Sequence, residues 1–418
     1  MTVDSRELLP IDRISVNAQK VVKRLVDSGF EAYVVGGCVR DLLLGKSPKD
    51  YDVATNAHPE EVRDLFRNSR LVGRRFRIVH VRFGADIVEV ATFRAPHNEA
   101  ETELHYSEGG MILSDNIYGN FSEDALRRDF TMNALYYQPE TETLLDEVGG
   151  IEDIKARRIR LIGDPDSRFR EDPVRMLRAI RFRAKLGFDI DPDTDRSLRR
   201  LGHLLADIPP ARLFEETLKL FMNGHGEASF RELVEHDLFG WLFPATRHVL
   251  DAEGSTARTL ITLALASTDR RVLEDKPVTP AFVLAAFLWH PFLAEMERLA
   301  SLGMPPAVAS HEAATNVIAG QQSIVSLPRR FSGPMREIWQ LQSRLPNRQP
   351  RKAEATLRHK RFRAAYDFLV LREEAGEDLD GLGAWWTEYQ ESDPEARAVL
   401  AKAAGGSGRR RKRKRRRH

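Results

Sequence analysis

Between residues 33 and 55 the chain reads YVVGGCVRDLLLGKSPKDYDVAT, an order that few folds accommodate. Tyr33, Val34 and Val35 form an apolar run of strand character, and Arg40 to Leu44 resume at helical spacing. Gly36 and Gly37 stand at the handover, where glycine lets the backbone turn without a Cβ penalty. The amide N–H groups of such a helix start lack intrahelical partners and suit an anionic group such as a triphosphate. A dozen residues on, Lys49 to Val53 alternate as a strand does, which puts Asp50 and Asp52 on one face. Two carboxylates so placed repel unless a cation lies between them. Alone, the pair reads as solvated aspartates on an edge strand. Behind a phosphate-cradling turn, it reads as a site for Mg²⁺ and a nucleotide.

The chain has 418 residues, too many for one core, so two to four domains are expected. Its single cysteine, Cys38, excludes a disulfide framework and a cysteine-rich zinc site, and fits a small apolar filler. The N-terminus carries acids and no apolar signal core, and the longest apolar run, 281–289, is too short to span a bilayer. A soluble, cytoplasmic protein with no membrane partner is expected. Net charge is +2, yet residues 409–417 read RRRKRKRRR. The remainder carries 55 basic and 62 acidic residues, an acidic body with a basic arm suited to a polyanion.

In chain order, periodicity predicts an amphipathic helix over 14–29 and another from Pro59 to Phe66. Leu71 to Arg94 reads as two strands with a hairpin turn at Gly84-Ala85-Asp86. On the second, Ile87, Glu89 and Ala91 share a face. A lone glutamate there can deter edge-to-edge aggregation. If this strand lies beside the one carrying Asp50 and Asp52, three carboxylates converge, the composition of a two-metal centre. Residues 95–120 are polar and read as a mobile loop. Arg127, Arg128 and Asp129 head an apolar run and could hold phosphates. Glu171-Asp172-Pro173 reads as a helix start, with Asp172 and Arg175 on one face. That pair is either an ordinary salt bridge or a donor–acceptor set presented to a base edge.

From Pro209 onward apolar residues recur at helical spacing, so the C-terminal half should be all-helical. His236-Asp237 has the form of a metal-phosphohydrolase dyad, without further ligands in register. Basic residues cluster at Arg329-Arg330, Arg351-Lys352 and 358–363, with Trp385-Trp386 as a stacking pair or as core. Ala401 to Gly408 reads as a flexible linker and the arginine run beyond it as disordered.

With these residues placed, the chain resembles the nucleotidyltransferase family of bacterial poly(A) polymerases and class II CCA-adding enzymes. GGCVRDLLLG (36–45), KDYDVAT (49–55), VEVATFR (88–94), RRDFTMNAL (127–135) and EDPVRMLRAIRF (171–182) carry the resemblance over most of residues 30–245. LVGRRFRIVHVRFG (71–84), IPPARLFEE (208–216), KRFRAAYDFLVLR (360–372) and the basic tail resemble the poly(A) polymerase branch more than the CCA-adding one.

The resemblance implies an α+β fold: a nucleotidyltransferase head with a mixed β-sheet, followed by all-helical neck, body and tail. The expected division is a helical extension at 1–29, catalytic head at 30–163, neck at 164–245, RNA-binding body at 246–400 and Arg-rich tail at 401–418. By position, Asp50, Asp52 and Glu89 match the metal-binding, catalytic carboxylates, and Gly36, Gly37 and Arg40 the phosphate-binding turn. Arg94, Arg127, Arg128, Asp129, Asn133, Asp172, Arg175 and Arg178 complete the nucleotide site that the resemblance implies. Arg329, Arg330, Arg361, Arg409, Arg410 and Arg411 are the candidate RNA contacts. The implied reaction is template-independent addition of AMP from ATP to RNA 3′ ends with two Mg²⁺ ions. RNA-decay proteins are expected partners; CCA addition to tRNA and a catalytically dead RNA-binding protein are the alternatives.

Overall fold

The computed structural model describes residues 2–4, 9–73, 77–95 and 117–415, with side chains of residues 9–404 among them. The expected loop at 95–120 therefore lies almost wholly outside the described residues. Two compact units divide the chain, Met1–Asp207 and Ile208–His418, at a boundary inside the expected neck.

In the first unit, β1 (Thr2–Asp4) precedes α1 (Val16–Asp27), which Ser15 caps through the Ala18 amide. Next come β2 (Ala32–Val35), α2 (Gly37–Leu43), β3 (Tyr51–Thr55) and α3 (Pro59–Leu65). β4 (Ser69–Val72), β5 (Ile78–Phe83), β6 (Asp86–Thr92), α4 (Phe121–Arg127), β7 (Leu135–Gln138) and β8 (Thr143–Asp146) complete the sheet region. α5 (Gly150–Lys155), α6 (Pro165–Glu171), α7 (Val174–Leu186) and α8 (Pro192–Leu201) follow. The eight strands form one mixed sheet in the order β1-β8-β7-β2-β3-β6-β5-β4, in which β3 and β6 are the parallel pair and the rest are antiparallel.

Register explains which face is core. Val34, Val53, Val90 and Val79 lie in one row across β2, β3, β6 and β5, and all are buried. α1 packs across β2, β3 and β6, with Ala18, Val21, Val22 and Leu25 fully buried. Each such valine or leucine contributes roughly 1.5–3 kcal/mol. On the opposite face Val35, Ala54, Phe93 and Tyr136 pack with Ala125 and Phe121 of α4. That helix therefore lies over the face on which Asp52 and Glu89 stand.

Three expectations change here. The first residues are not purely helical, since β1 pairs with β8 at the sheet edge. Leu71 to Arg94 contains parts of three strands rather than two, because Ser69–Val72 also pairs with β5. Glu171 ends α6 rather than starting the next helix, and Asp172 is the break before α7.

The second unit holds thirteen helices among the described residues, from Pro210–Phe221 to Pro394–Arg415, and no strand. The head with its mixed sheet and the all-helical second unit are the α+β fold expected. Rings of Phe221, Phe230, Phe239, Phe243 and Phe287 interlock at its core. The last helix runs through 401–408, so that stretch is helical backbone rather than the expected linker, as is the arginine run to Arg415. Alanines at 396, 398, 401, 403 and 404 and the good helix propensity of Lys and Arg support this against the glycines. No helix among the described residues is long and apolar enough to cross a membrane.

Candidate functional site

The parallel pairing of β3 with β6 sets Asp52 directly opposite Glu89, and β5 sets His80 opposite Glu89 in turn. His80 Nε2 lies 3.2 Å from Glu89 Oε1. Asp50 is exposed one residue before β3 and close enough for its charge to act on Asp52. Asp52 keeps solvent contact, yet neighbouring atoms desolvate its carboxyl. With the charges of Glu89 and Asp50, and against that of Arg128, this raises its pKa to about 6. Mutual repulsion of this kind is what an interposed cation relieves. Carboxylate oxygens are the donors Mg²⁺ prefers, so the residues fit the ion. Among the described residues no group of three His, Cys, Asp or Glu is already gathered as a metal cage.

The glycine turn stands beside this pair. Gly36 adopts φ 84° and ψ −134°, a conformation open to glycine and strained for other residues. A Cβ built there would meet Arg128 Nη1 at 3.7 Å, so the guanidinium overhangs the turn. Arg128 is aimed from its other edge: Nε donates to the Tyr136 hydroxyl at 2.6 Å, and Nη2 to Asp124 Oδ2 at 2.9 Å. Burial alone would raise the Asp124 pKa, but Arg128 and the Tyr136 hydroxyl hold it below the usual range. Asp124 also accepts the Arg94 amide, while Arg94 Nη2 reaches the Arg77 carbonyl at 3.5 Å. Cys38 donates to the Val35 carbonyl, and burial pushes its thiol up to about 12, so it is an inert filler.

Arg40 is placed differently from a residue that faces an open cleft. It is 3% exposed, with Nε and Nη2 on Asp41 and Nη1 2.5 Å from Asn133 Oδ1, above the Phe182 ring. Asn133 in turn donates to Asp129, and Arg178 Nε donates to Asp129 Oδ2 at 2.7 Å. The Phe130 amide adds a third donor. Although burial opposes it, Arg178's charge and these donors hold Asp129 at about 2. One polar chain thus ties α2, the 130s loop and α7 together, and it uses Arg40, Asn133, Asp129 and Arg178 from the sequence-derived set.

Asp172 and Arg175 meet through the backbone, where the Arg175 amide donates to the Asp172 carbonyl at 3.0 Å, while the Arg175 side chain turns to other acceptors. Arg175 Nη1 donates to Glu171 Oε2 at 2.8 Å and to the Arg168 carbonyl at 2.6 Å. Asp172 Oδ1 accepts the Val174 amide, as a residue breaking between two helices does. Arg168, Asp124 and Tyr136 were not singled out from the sequence. Their signal is spatial: each bonds a motif residue from outside the motif, Asp124 from three residues before Arg127 and Tyr136 from one residue after Leu135.

In the second unit Arg329 and Arg330 are exposed in the first turn of the helix Arg329–Arg344. Arg361 pairs with Glu337 at 3.0 Å. The side chains of Arg409, Arg410 and Arg411 lie outside the described residues. Trp386 is buried, and Trp385 stacks on Tyr389 with Arg348 against its ring, so both read as packing. His236 Nδ1 lies 2.7 Å from the Glu232 carbonyl of its own helix, and among the described residues no group of three candidate metal ligands gathers there.

Comparison with known proteins follows the same outline. Family descriptions match at residues 32–160 ("Poly A polymerase head domain"), 187–250 ("Probable RNA and SrmB- binding site of polymerase A") and 302–418 ("Polymerase A arginine-rich C-terminus"). Poly(A) polymerase I of Salmonella typhimurium is 48% identical over 96% of this chain and 88% of its own. Its counterpart in Escherichia coli O6:H1 is 49% identical over 94% and 87%. A CCA-adding enzyme of Lactobacillus helveticus is 37% identical over 55% of this chain and 57% of its own. Among solved structures, the Thermotoga maritima CCA-adding enzyme complexed with tRNA superposes with TM-score 0.58 at 22% identity, over 97% of this chain and 85% of that one. That likeness is one of fold.

Proposed function

The chain belongs to the bacterial poly(A) polymerase family, and from that premise we propose that its head transfers AMP from ATP to RNA 3′ ends through the site at β3 and β6. The activity is template-independent polyadenylation by a nucleotidyltransferase. The observation that carries the site assignment is the opposition of Asp52 and Glu89 across the parallel strand pair, with the Gly36 turn alongside.

Asp50, Asp52 and Glu89 would hold Mg²⁺. The bound ion would supply Lewis acidity toward the α-phosphate and lower the pKa of the attacking 3′-hydroxyl. The protein's own groups do the rest. The Gly36 turn gives the triphosphate close access to backbone N–H groups at the head of α2. Arg128, held from behind by Asp124 and Tyr136, presents Nη1 over that turn to compensate phosphate charge. Arg40, Asn133, Asp129 and Arg178 fix the turn against α7, and Asp172 and Arg175 at the head of α7 read the base. Such groups accelerate transfer by positioning and by electrostatic preorganisation. Arginines of the second unit and of the tail would hold the RNA strand, Arg329, Arg330 and the 409–411 run foremost.

Asp50→Asn and Glu89→Gln test the assignment. Each should abolish Mg²⁺-dependent AMP addition, a loss of several orders of magnitude, while RNA binding stays intact. Near-wild-type turnover in either variant would remove the carboxylates from the mechanism.

A further inference from the structure

Arg168 makes contacts with the Arg127–Arg128 backbone at the end of α4 that no motif reading assigns. Its side chain is 12% exposed. Nη2 donates to two consecutive carbonyls, Arg127 O at 2.5 Å and Arg128 O at 2.6 Å, and Nη1 donates to Glu171 Oε2 at 2.7 Å. Nε is buried with no hydrogen-bond partner among the described residues. The two carbonyls belong to the end of α4, where the last helical acceptors have no intrahelical donor and a cation is favoured. Arg128 leaves that end with φ −60° and ψ 169°, and its side chain is the one that overhangs Gly36. From the other side, Glu171 Oε2 is shared with Arg175, which also donates to the Arg168 carbonyl.

We propose that Arg168 is a positioning residue that couples the backbone carrying Arg128, which overhangs the triphosphate turn, to base selection. Resting on the poly(A) polymerase reading, it deepens that reading without altering the reaction. Arg168 fixes the backbone from which Arg128 reaches the phosphates, and with Glu171 it holds Arg175 at the head of α7. One guanidinium spans both because its planar fork serves two carbonyls and a carboxylate at once, which a lysine ammonium on a flexible stem does not reproduce. Burial and the neighbouring charge of Arg175 draw the Arg168 pKa down to about 10, consistent with a cation retained for its hydrogen bonds against an electrostatic cost.

The test compares wild type with Arg168→Lys, Arg168→Ala and Glu171→Gln in the full chain. It measures KM for ATP, KM for RNA, preference for ATP over CTP, and ATP affinity by direct titration. Loss of charge-assisted hydrogen bonds should raise KM and Kd for ATP about tenfold to a hundredfold in Arg168→Lys. ATP preference should erode as well, while KM for RNA stays within about twofold. Glu171→Gln should move in the same direction by less. Wild-type ATP affinity and selectivity in Arg168→Lys would overturn the coupling, and so would equal losses toward ATP and RNA. If Arg168→Ala does not fold, Arg168→Lys and Glu171→Gln still decide the matter. Failure of the functional reading is separable, because it would appear in the wild type. An enzyme that instead completes CCA on tRNA still reports on Arg168 through the ATP dependence of its last step.

Discussion

Asp52→Asn should stabilise the metal-free protein while destroying its activity. Asp52 is desolvated and faces the negative charges of Glu89 and Asp50, which raises its pKa from 3.8 to about 6. The ionised form is therefore disfavoured in the folded state. The group's stabilising contribution is fully present below about pH 3.8 and is lost as pH rises through about 6. The full shift corresponds to about 3 kcal/mol at neutral pH, but Asp52 keeps solvent contact, and screening reduces this to about 1 kcal/mol. Asparagine carries no charge and escapes that cost. In EDTA at pH 7.5 the variant should melt about 2–4 °C higher than wild type. The gain should vanish as pH falls from about 6 to about 4. Added Mg²⁺ should stabilise wild type and leave the variant nearly unmoved. An unchanged or lower Tm in EDTA at pH 7.5, or equal Mg²⁺ stabilisation of both proteins, would refute the argument that these carboxylates are held in mutual strain for a metal.

Asp129→Asn should act oppositely. The native carboxylate, held near 2 by Arg178 and its donors against the effect of burial, contributes about 2 kcal/mol above pH 4. That contribution is lost as pH falls from about 4 to about 2, so the Tm deficit of the variant, plain at pH 7, should narrow on acidification. A deficit independent of pH would show that packing, rather than charge, is at stake. Truncation after Gly408 should weaken RNA binding and flatten its salt dependence, since each phosphate contact on a single strand adds about −0.7 to the slope. The maximal rate at saturating RNA should barely change, and an unaltered salt slope would assign the arm to something other than RNA.

The residues whose placement is legible in sequence are those set by local geometry. A glycine pair between strand and helix, alternating aspartates and a lone glutamate in an apolar strand each carry their meaning within a few positions. What sequence could not supply was partnership across the chain. The resemblance sets Arg40 in the phosphate-binding turn, and the partners that engage its guanidinium there are Asp41 and Asn133, the latter 93 residues away. Asp172 and Arg175 share a face by spacing, but the break at Asp172 turns Arg175 toward Glu171. β1 was missed because three residues pairing with a strand some 140 positions later leave no periodic signal. The α4 face pattern is short, and only packing on Tyr33, Phe93 and Tyr136 reveals that it covers the site.

The central claim is that this site adds AMP repeatedly to RNA without a template. Its most direct test presents each of the four nucleoside triphosphates, with Mg²⁺, to an unstructured RNA 3′ end and to a tRNA lacking its terminal CCA. Products are resolved one nucleotide at a time. Long ladders with ATP on the unstructured RNA, and poor use of CTP on either substrate, are the result expected. Two CMPs and one AMP added to the tRNA, followed by arrest, with no ladder on the other RNA, would contradict it.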